Sequence, residues 1–178
     1  MADHMSPASP PAVERLTRYT KADQGEILGD SPDPFGVDGY GLTWLPKEDH
    51  FGVRLEGRLV AHTGLLRLPV SIGGARTEVV GVGGVAVAPD LRGRGLARLV
   101  MTAALDHART MGPQHGILFC RLPLVSLYQR LGWRVVEGDV QVEQPDGVVV
   151  MPLQTMWTPL RDGVTRPPGE VRLLSFPM

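Results

Sequence analysis

A short run of arginines and glycines is the part of the sequence best suited to bind an anion. Arg92, Arg94 and Arg98 lie around Gly93 and Gly95, just before a segment whose apolar residues recur every three or four positions. This period predicts a helix that begins near Arg94, and the glycines leave its first N–H groups open. Unpaired N–H groups and the positive end of the helix dipole attract phosphate. We therefore expect a phosphate-binding turn, although its spacing is neither a P-loop nor a dinucleotide-binding fingerprint.

The element that must position this turn is a strand interrupted by glycines. Residues 79–87 read VVGVGGVAV, and Pro89 follows directly. Valine favours extended backbone, whereas Gly81, Gly83 and Gly84 allow a bulge or the close approach of a ligand. The sequence thus predicts a strand, a turn and a helix in succession, with anion chemistry at the turn.

Strand, proline and turn together resemble a known motif. Arg92-x-x-Gly95-x-Ala97 after a Val-x-Val-x-Pro strand resembles the acyl-CoA pyrophosphate loop of the GCN5-related N-acetyltransferase (GNAT) family. The resemblance implies that acetyl-CoA is the co-substrate and that strand backbone and turn bind it. The cofactor-binding residues implied are Val85, Ala86, Val87, Arg92, Gly93, Arg94, Gly95, Leu96 and Ala97.

A second segment carries the same resemblance. Leu127-Tyr128-Gln-Arg-Leu131-Gly132-Trp133 is similar to the Leu/Phe-Tyr-x-x-x-Gly-Phe/Trp segment of that family. Acyl transfer from a thioester to an amine needs a base for the ammonium, donors for the oxyanion and an acid for the thiolate. The resemblance implies that Tyr128 is this acid, and a tyrosine that only packs on an amphipathic helix is the alternative.

The base is less determined by the sequence. The segments EGRLVAHTGLLRLPVSIGG, GVGGVAV and LYQRLGWR resemble the branch of aminoglycoside 2-prime N-acetyltransferases and NodA-type acyltransferases. Relatives in the aminoglycoside branch carry a strand glutamate where this chain has Gly83. Glu78 on the same strand, His62 in the preceding hairpin and His50 after an acidic loop are the candidates, in that order, since carboxylate and imidazole both accept protons. A chain of water molecules is a further alternative.

Acidic residues concentrate in the segment 29–49, GDSPDPFGVDGYGLTWLPKED. A loop of this length is usually functional or disordered, and its three aromatic residues argue against disorder. We expect it to attract a cationic acceptor, and the alternative is a surface loop that its acids keep soluble. The substrate-binding residues of this hypothesis are Asp33, Asp38 and Asp49.

Composition limits the class of protein. The chain has 178 residues, 43% hydrophobic and 21% charged, with a net charge of −1, which suits one soluble domain and argues against a general nucleic-acid binder. The single cysteine, Cys120, excludes an internal disulfide and lies in an apolar strand without a neighbouring histidine, so we interpret it as inert. No metal-ligand spacing, membrane span or signal peptide is apparent, and we expect a cytoplasmic protein. Lys21 and Lys47 are the only lysines, and arginine supplies the other sixteen positive charges, a bias that a GC-rich genome would also produce.

Periodicity and element order predict an α/β (α+β) fold, a central mixed but mostly antiparallel sheet with a parallel pair, flanked by helices, and the family resemblance implies that this pair is splayed. We expect a disordered segment at 1–11 and a single domain over 12–178, and this order of elements resembles the GNAT fold. The expected strands are 13–19, 51–55, 59–68, 79–87, 116–122, a terminal hairpin of 135–140 and 148–157, and 171–176; the expected helices follow Thr20, Gly95 and Leu122.

The resemblance implies an acetyl-CoA-dependent N-acetyltransferase that acylates the primary amine of a small, cationic acceptor by direct attack in a ternary complex. An aminoglycoside-like compound or another amine metabolite would suit this role. Two alternatives are an N-acyltransferase with a longer acyl donor and a non-catalytic acyl-CoA-binding module. We expect no nucleic-acid or membrane partner, and the sequence is compatible with a homodimer.

Overall fold

The computed structural model describes residues 11–178, so nearly all of the predicted disordered segment 1–11 lies outside the described residues. Within this range the strands form one mixed sheet with three α-helices packed against it. The helices are α1 (Lys21–Leu28), α2 (Leu96–Ala108) and α3 (Val125–Arg130). The strands are β1 (Val13–Leu16), β2 (Asp49–Leu55), β3 (Arg58–Ile72), β4 (Ala75–Val87), β5 (His115–Cys120), β6 (Arg134–Val135), β7 (Gln141–Gln144), β8 (Gly147–Val150), β9 (Gln154–Pro159) and β10 (Val171–Leu173).

The predicted fold class is confirmed. The strand order is β6-β9-β5-β4-β3-β10-β7-β8, and β2 joins β1 to β3 at one side. Neighbouring strands run antiparallel except for the pairs β4–β5 and β10–β7. The meander of β2, β3 and β4 and the parallel crossover through α2 both follow the sequence pattern.

Local signals located the first helix correctly. Thr20 Oγ1 accepts a hydrogen bond from the backbone N–H of Asp23 at 3.2 Å, and an Asp23 carboxylate oxygen accepts one from the N–H of Thr20 at 2.7 Å. This reciprocal capping box satisfies two backbone donors at the start of α1. The helix ends at Leu28, where Gly29 has a positive φ of 79°.

The predicted terminal hairpin of 135–140 and 148–157 is wrong in its strands. The hairpin comprises β7 and β8, whereas β9 leaves it and lies between β5 and β6. Met156 of β9 is buried in one hydrophobic core and Trp157 in the other, so this strand needs both faces covered. The valines of β8 are exposed and have no such requirement.

Alternate residues of β3 enter two separate cores. Leu65 packs in the core that contains Val100 and Ala104 of α2, while Leu66 and Leu68 pack in the second core. Because strand side chains alternate between faces, the two cores cover opposite faces of the sheet. The strand is therefore held rigidly on both sides, and it supports β4 beside it.

Candidate active site

A cleft of about 400 Å³ lies where β4 and β5 separate. The two strands pair only at Val80 with Gly116 and at Gly81 with Ile117. Beyond Gly81 the backbone groups of β4 that face β5 have no strand partner, so the cleft is lined by main chain as well as side chains. Its lining includes Lys21, Asp33, Phe35, Asp38, Trp44, Lys47, Gly83, Gly84, Val85, Phe119, Cys120, Arg121, Leu124 and Tyr128.

A bulge in β4 borders this cleft. His62 pairs with Ala86 and Gly64 pairs with Gly83, so two residues of β4, Gly84 and Val85, lie opposite the single intervening residue of β3. Gly84 has a φ of 60°, in the left-handed region that L side chains rarely adopt. The bulge removes Gly84 and Val85 from the regular register with β3, while the Gly84 carbonyl oxygen accepts a hydrogen bond from His62 Nδ1. Ala86 is buried and Val87 is partly buried, and both resume the pairing.

The predicted anion-binding turn follows directly. Helix α2 begins at Leu96, after Gly95 with a left-handed φ of 78°, and no side chain caps its N-terminus. Arg92 and Arg94 are exposed, and Arg92 Nε donates to the carbonyl oxygen of Val87 at 3.4 Å. The Leu96 side chain is buried in the core, so this residue can contribute only its backbone N–H. The turn thus has open N–H groups beside two arginines, the arrangement that binds phosphate groups.

Tyr128 reaches the cleft from α3. It is 6% exposed and belongs to the same core as Leu118 and Cys120. Burial raises its pKa, and proximity to Cys120 acts in the same direction. The phenol therefore remains protonated near neutral pH and can serve as a proton donor.

The predicted base Glu78 lies elsewhere. It is exposed near the other end of β4, opposite Pro69, beside an open depression of about 740 Å³ that Arg67 and Arg76 also line. Five residues of extended strand, roughly 16 Å, separate it from Gly83. Glu78 therefore cannot contact a substrate in the cleft.

The two histidines form a pair behind the bulge. His62 is 1% exposed, its Nδ1 donates to the carbonyl oxygen of Gly84 at 2.7 Å, and its Nε2 accepts a hydrogen bond from Nδ1 of His50 at 2.9 Å. The ring of Tyr19 stacks on that of His62 with centroids 3.5 Å apart. Burial lowers the pKa of His62 to about 4 and also lowers that of His50. With both of its nitrogens engaged and its ring covered, His62 supports the bulge and does not line the cleft.

The three acidic residues predicted to bind the acceptor lie in two different places. Asp38 and Asp33 line the cleft, but the Asp33 carboxylate accepts backbone hydrogen bonds from Val37 at 2.9 Å and Asp38 at 3.2 Å, so it also shapes its own loop. Asp49 forms an ion pair with Arg15 and lies 3.8 Å from Nε2 of His107 on α2. Asp49 is thus directed away from the cleft, because it opens β2 on the face that packs against α2.

Lys47 is a cleft residue that sequence reasoning missed. A Cβ built on Gly83 would lie 2.7 Å from its Cε and 3.3 Å from its Nζ. Burial lowers the pKa of this ammonium. Both lysines of the chain line the cleft, so the restriction of lysine to two positions was the available signal.

Cys120 lines the cleft without the features of a nucleophile. Its thiol lies 3.8 Å from the sulfur of Met156, and burial raises its pKa to about 11. It is therefore a thiol and not a thiolate near neutral pH, in agreement with the interpretation as inert.

Among residues 11–178, no cluster of three or more His, Cys, Asp or Glu side chains is arranged to hold a metal ion. No helix in that same range is long and apolar enough to cross a membrane.

Comparison with known proteins identifies the family. Residues 40–136 match the family model described as an acetyltransferase (GNAT) domain. A curated mycothiol acetyltransferase from Saccharomonospora viridis is 38% identical over 63 residues, which cover 34% of this chain and 21% of that protein. The chain thus matches only about a fifth of the length of this relative.

Solved structures agree in fold. The GNAT family N-acetyltransferase YhbS from Escherichia coli, in complex with CoA, superposes with a TM-score of 0.64 at 18% identity, over 96% of this chain and 93% of the other. A GNAT family acetyltransferase from Brucella melitensis in complex with acetyl-CoA gives a TM-score of 0.52 at 18% identity, over 90% and 94%. At this identity the likeness supports the fold and not the choice of acceptor.

Proposed function

Because this chain belongs to the GNAT family of acetyltransferases, we propose that it transfers an acetyl group from acetyl-CoA to the primary amine of a small acceptor. One observation carries the proposal. The cleft between β4 and β5 is bordered by the same strand that leads, within ten residues, into the open N-terminus of α2. A single continuous segment can therefore hold both the acyl end and the phosphate end of one ligand.

The turn would bind the pyrophosphate. The first N–H groups of α2 are uncapped, and Arg92 and Arg94 bring two exposed positive charges to the same place. Charge-assisted hydrogen bonds of this kind contribute about 1.5–3 kcal/mol each. The solved relatives described above contain CoA or acetyl-CoA, which supports the same ligand for this chain.

The cleft would carry out the transfer. The backbone N–H groups of Gly84 and Val85, which lie outside the regular register with β3, can donate to the thioester oxygen as negative charge develops on it. Tyr128 can protonate the sulfur as the carbon–sulfur bond breaks, since burial keeps its hydroxyl protonated. The amine attacks the carbonyl carbon directly in the ternary complex, and Cys120 takes no part in this reaction.

The charges of the cleft narrow the acceptor. Asp38 and Asp33 suit an ammonium group, but Lys21, Lys47 and Arg121 line the same space. Two acids beside Lys21 and Arg121 leave no net negative charge to hold a polycation, because unpaired like charges in a partly desolvated cleft are costly. We therefore propose an acceptor with a single ammonium group near Asp38, and this argument disfavours an aminoglycoside.

Calorimetry and an amine screen test the proposal together. CoA is titrated into the protein, and a panel of monoamines, zwitterionic amines and polyamines is then incubated with acetyl-CoA while free thiol is detected. Binding of CoA with turnover of a monoamine is the expected result. Binding of CoA without turnover of any amine would favour the non-catalytic acyl-CoA-binding module. Efficient turnover only with longer acyl donors would favour an N-acyltransferase that uses a longer acyl chain. Absence of CoA binding would overturn the proposal.

A further inference from the structure

The side chain of Lys47 occupies a slot built from two glycines. Gly64 of β3 and Gly83 of β4 are cross-strand partners. A Cβ on Gly64 would lie 2.6 Å from Cγ of Lys47 and 2.7 Å from its Cβ, and a Cβ on Gly83 would lie 2.7 Å from its Cε. These separations are too short for real atoms, so the lysine stem lies directly on the bare backbone of both strands. The slot leads the stem from Gly64 of β3 to Gly83 of β4, so that Nζ lies next to Gly83, the residue before the bulge at Gly84.

Several titratable groups surround Nζ, but no carboxylate among residues 11–178 forms an ion pair with it. None of the salt bridges within residues 11–178 involves Lys47. His50 and His62 lie close on β2 and β3, Tyr128 and Cys120 lie across the cleft, and the main-chain oxygen of Met178 also approaches Gly83. The other charged groups that face the cleft are Lys21, Asp33, Asp38 and Arg121.

We propose that Lys47 is the proton acceptor of the cleft, placed where Gly83 leaves no strand carboxylate. The inference rests on the acyl transfer proposed above. The neutral Nζ takes a proton from the ammonium of the acceptor, and the freed lone pair attacks the thioester carbon. The carbon–sulfur bond breaks, Tyr128 gives its proton to the sulfur, and the tyrosine regains a proton from the nitrogen that becomes the amide. Lys47 then releases its proton to water, which completes the balance.

Lysine suits this task where arginine would fail. Arginine stays protonated in proteins, whereas a desolvated lysine can lose its proton near neutral pH. Burial lowers the pKa of Lys47, which increases the neutral fraction. The chain uses arginine for sixteen of its eighteen basic residues and lysine only at two positions that line the cleft. The histidine pair is less suited, because both nitrogens of His62 are already engaged.

An NMR titration tests the protonation state without reference to activity. Protein labelled with ¹³C-lysine should give two side-chain Cε resonances, and Lys47→Arg assigns them by removing one. We expect the Lys47 resonance to titrate with a midpoint below 10.5, the ordinary lysine value. A midpoint at or above 10.5 would overturn the inference, whatever the activity of the enzyme.

Kinetics test the role itself. Lys47→Met keeps the stem without a titratable group, and Lys47→Arg keeps the charge but stays protonated and so cannot accept a proton. In the wild type, kcat/KM should rise with pH as Lys47 becomes neutral. Both variants should lose this rising limb of the pH profile, and their kcat/KM should be lower by about a hundredfold or more. Lys21→Arg is the matched control and should keep the limb. CoA affinity of the Met variant, measured by calorimetry, should stay within about threefold of wild type.

The outcomes separate this inference from the proposed function. A wild-type pH profile in Lys47→Met would overturn only the role of Lys47. Mass spectrometry that finds the acetyl group of acetyl-CoA transferred in stoichiometric amount to Lys47 would also overturn it, since the lysine would then be an acyl acceptor. Absence of turnover by the wild type with every amine would overturn both proposals.

Discussion

The two ends of β4 differ in their strand pairing and in their surroundings. From Ala75 to Gly81 the strand stays in register with β3, and its last two residues also pair with β5. From Val82 onward β5 is absent, and the ladder to β3 is broken by a bulge at Gly84. The closed end carries the exposed residues 75–78 beside an open depression, whereas the open end borders the cleft. A strand acquires ligand-binding backbone where its pairing stops, because only there are its N–H and C=O groups free.

Glycine has a different purpose at each end. Without a Cβ, Gly81 lets Leu68 and Met178 pack within 2.6 and 2.8 Å of where that atom would be, so it serves the core. Gly83, two residues later, gives the same space to a charged side chain. A glycine by itself does not show whether it serves packing or function. The side chain that occupies the space next to it shows which.

Removing the hydroxyl of Tyr128 should have the largest effect at the open end. Tyr128→Phe keeps the buried ring and loses only the proton donor, so we expect kcat to fall by about a hundredfold or more with little change in stability. Steady-state kinetics and thermal unfolding of the same preparation measure both. Full activity in the Phe variant would show that this tyrosine only packs in the core.

Lowering the pH should destabilise the folded protein through His62, which supports the bulge of β4. The pKa of His62 is lowered from 6.5 to about 4 by burial, so the unfolded chain binds a proton first as the pH falls. Stability should be fully present above pH 6.5 and decline between pH 6.5 and 4, by up to about 3 kcal/mol. Urea unfolding at several pH values measures this loss.

His62→Gln is the control for that decline. It should be less stable at pH 7 but should lose less stability on acidification, because the titrating imidazole is gone. An equal decline in wild type and variant would place the sensitive group elsewhere. His50 contributes in the same direction, since burial lowers its pKa as well.

Loss of one arginine at the turn should weaken CoA binding moderately. Arg92→Ala removes a charge-assisted contact of about 1.5–3 kcal/mol, equivalent to roughly tenfold to a hundredfold in Kd. Arg76→Ala, an exposed arginine at the closed end of the same strand, is the matched control and should leave Kd unchanged. Equal affinities of the two variants for CoA in calorimetry would show that the turn does not contribute to CoA binding.

The smallest effect should come from Glu78. Glu78→Gln at the closed end should change kcat/KM by less than about twofold at every pH, because roughly 16 Å of strand separates it from the cleft. A loss of the basic limb of the pH profile in this variant would contradict the contrast between the two ends of β4.

Features set by adjacent residues were predictable from the sequence. The capping box at Thr20, the start of α2 after a glycine-rich turn and the parallel crossover all follow from short patterns in the chain. The amphipathic period of α2 also located its start to within two residues. Such features depend on local backbone geometry, which composition and spacing largely determine.

Features that depend on distant contacts were not predictable in the same way. Lys47 gains its position from Gly64 and Gly83, which lie 17 and 36 residues further along the chain. Asp49 was grouped with the loop acids because of its sequence neighbours, but the face of β2 on which it lies directs it to Arg15 and α2. The position of β9 beside β5 likewise depends on which core each of its side chains enters.

The glycine slot ties three positions together in evolution and in design. With Lys47 in place, any residue larger than glycine at position 64 or 83 meets the lysine stem at 2.6–2.7 Å. A glutamate at position 83 requires the end of the lysine side chain to leave the slot, so Gly83→Glu should be more harmful alone than together with a shorter residue at position 47. Gly83→Glu combined with Lys47→Ala should recover much more activity than Gly83→Glu alone. The effects of substitutions at positions 47, 64 and 83 are thus coupled, and the order in which they are made decides which of them are tolerated.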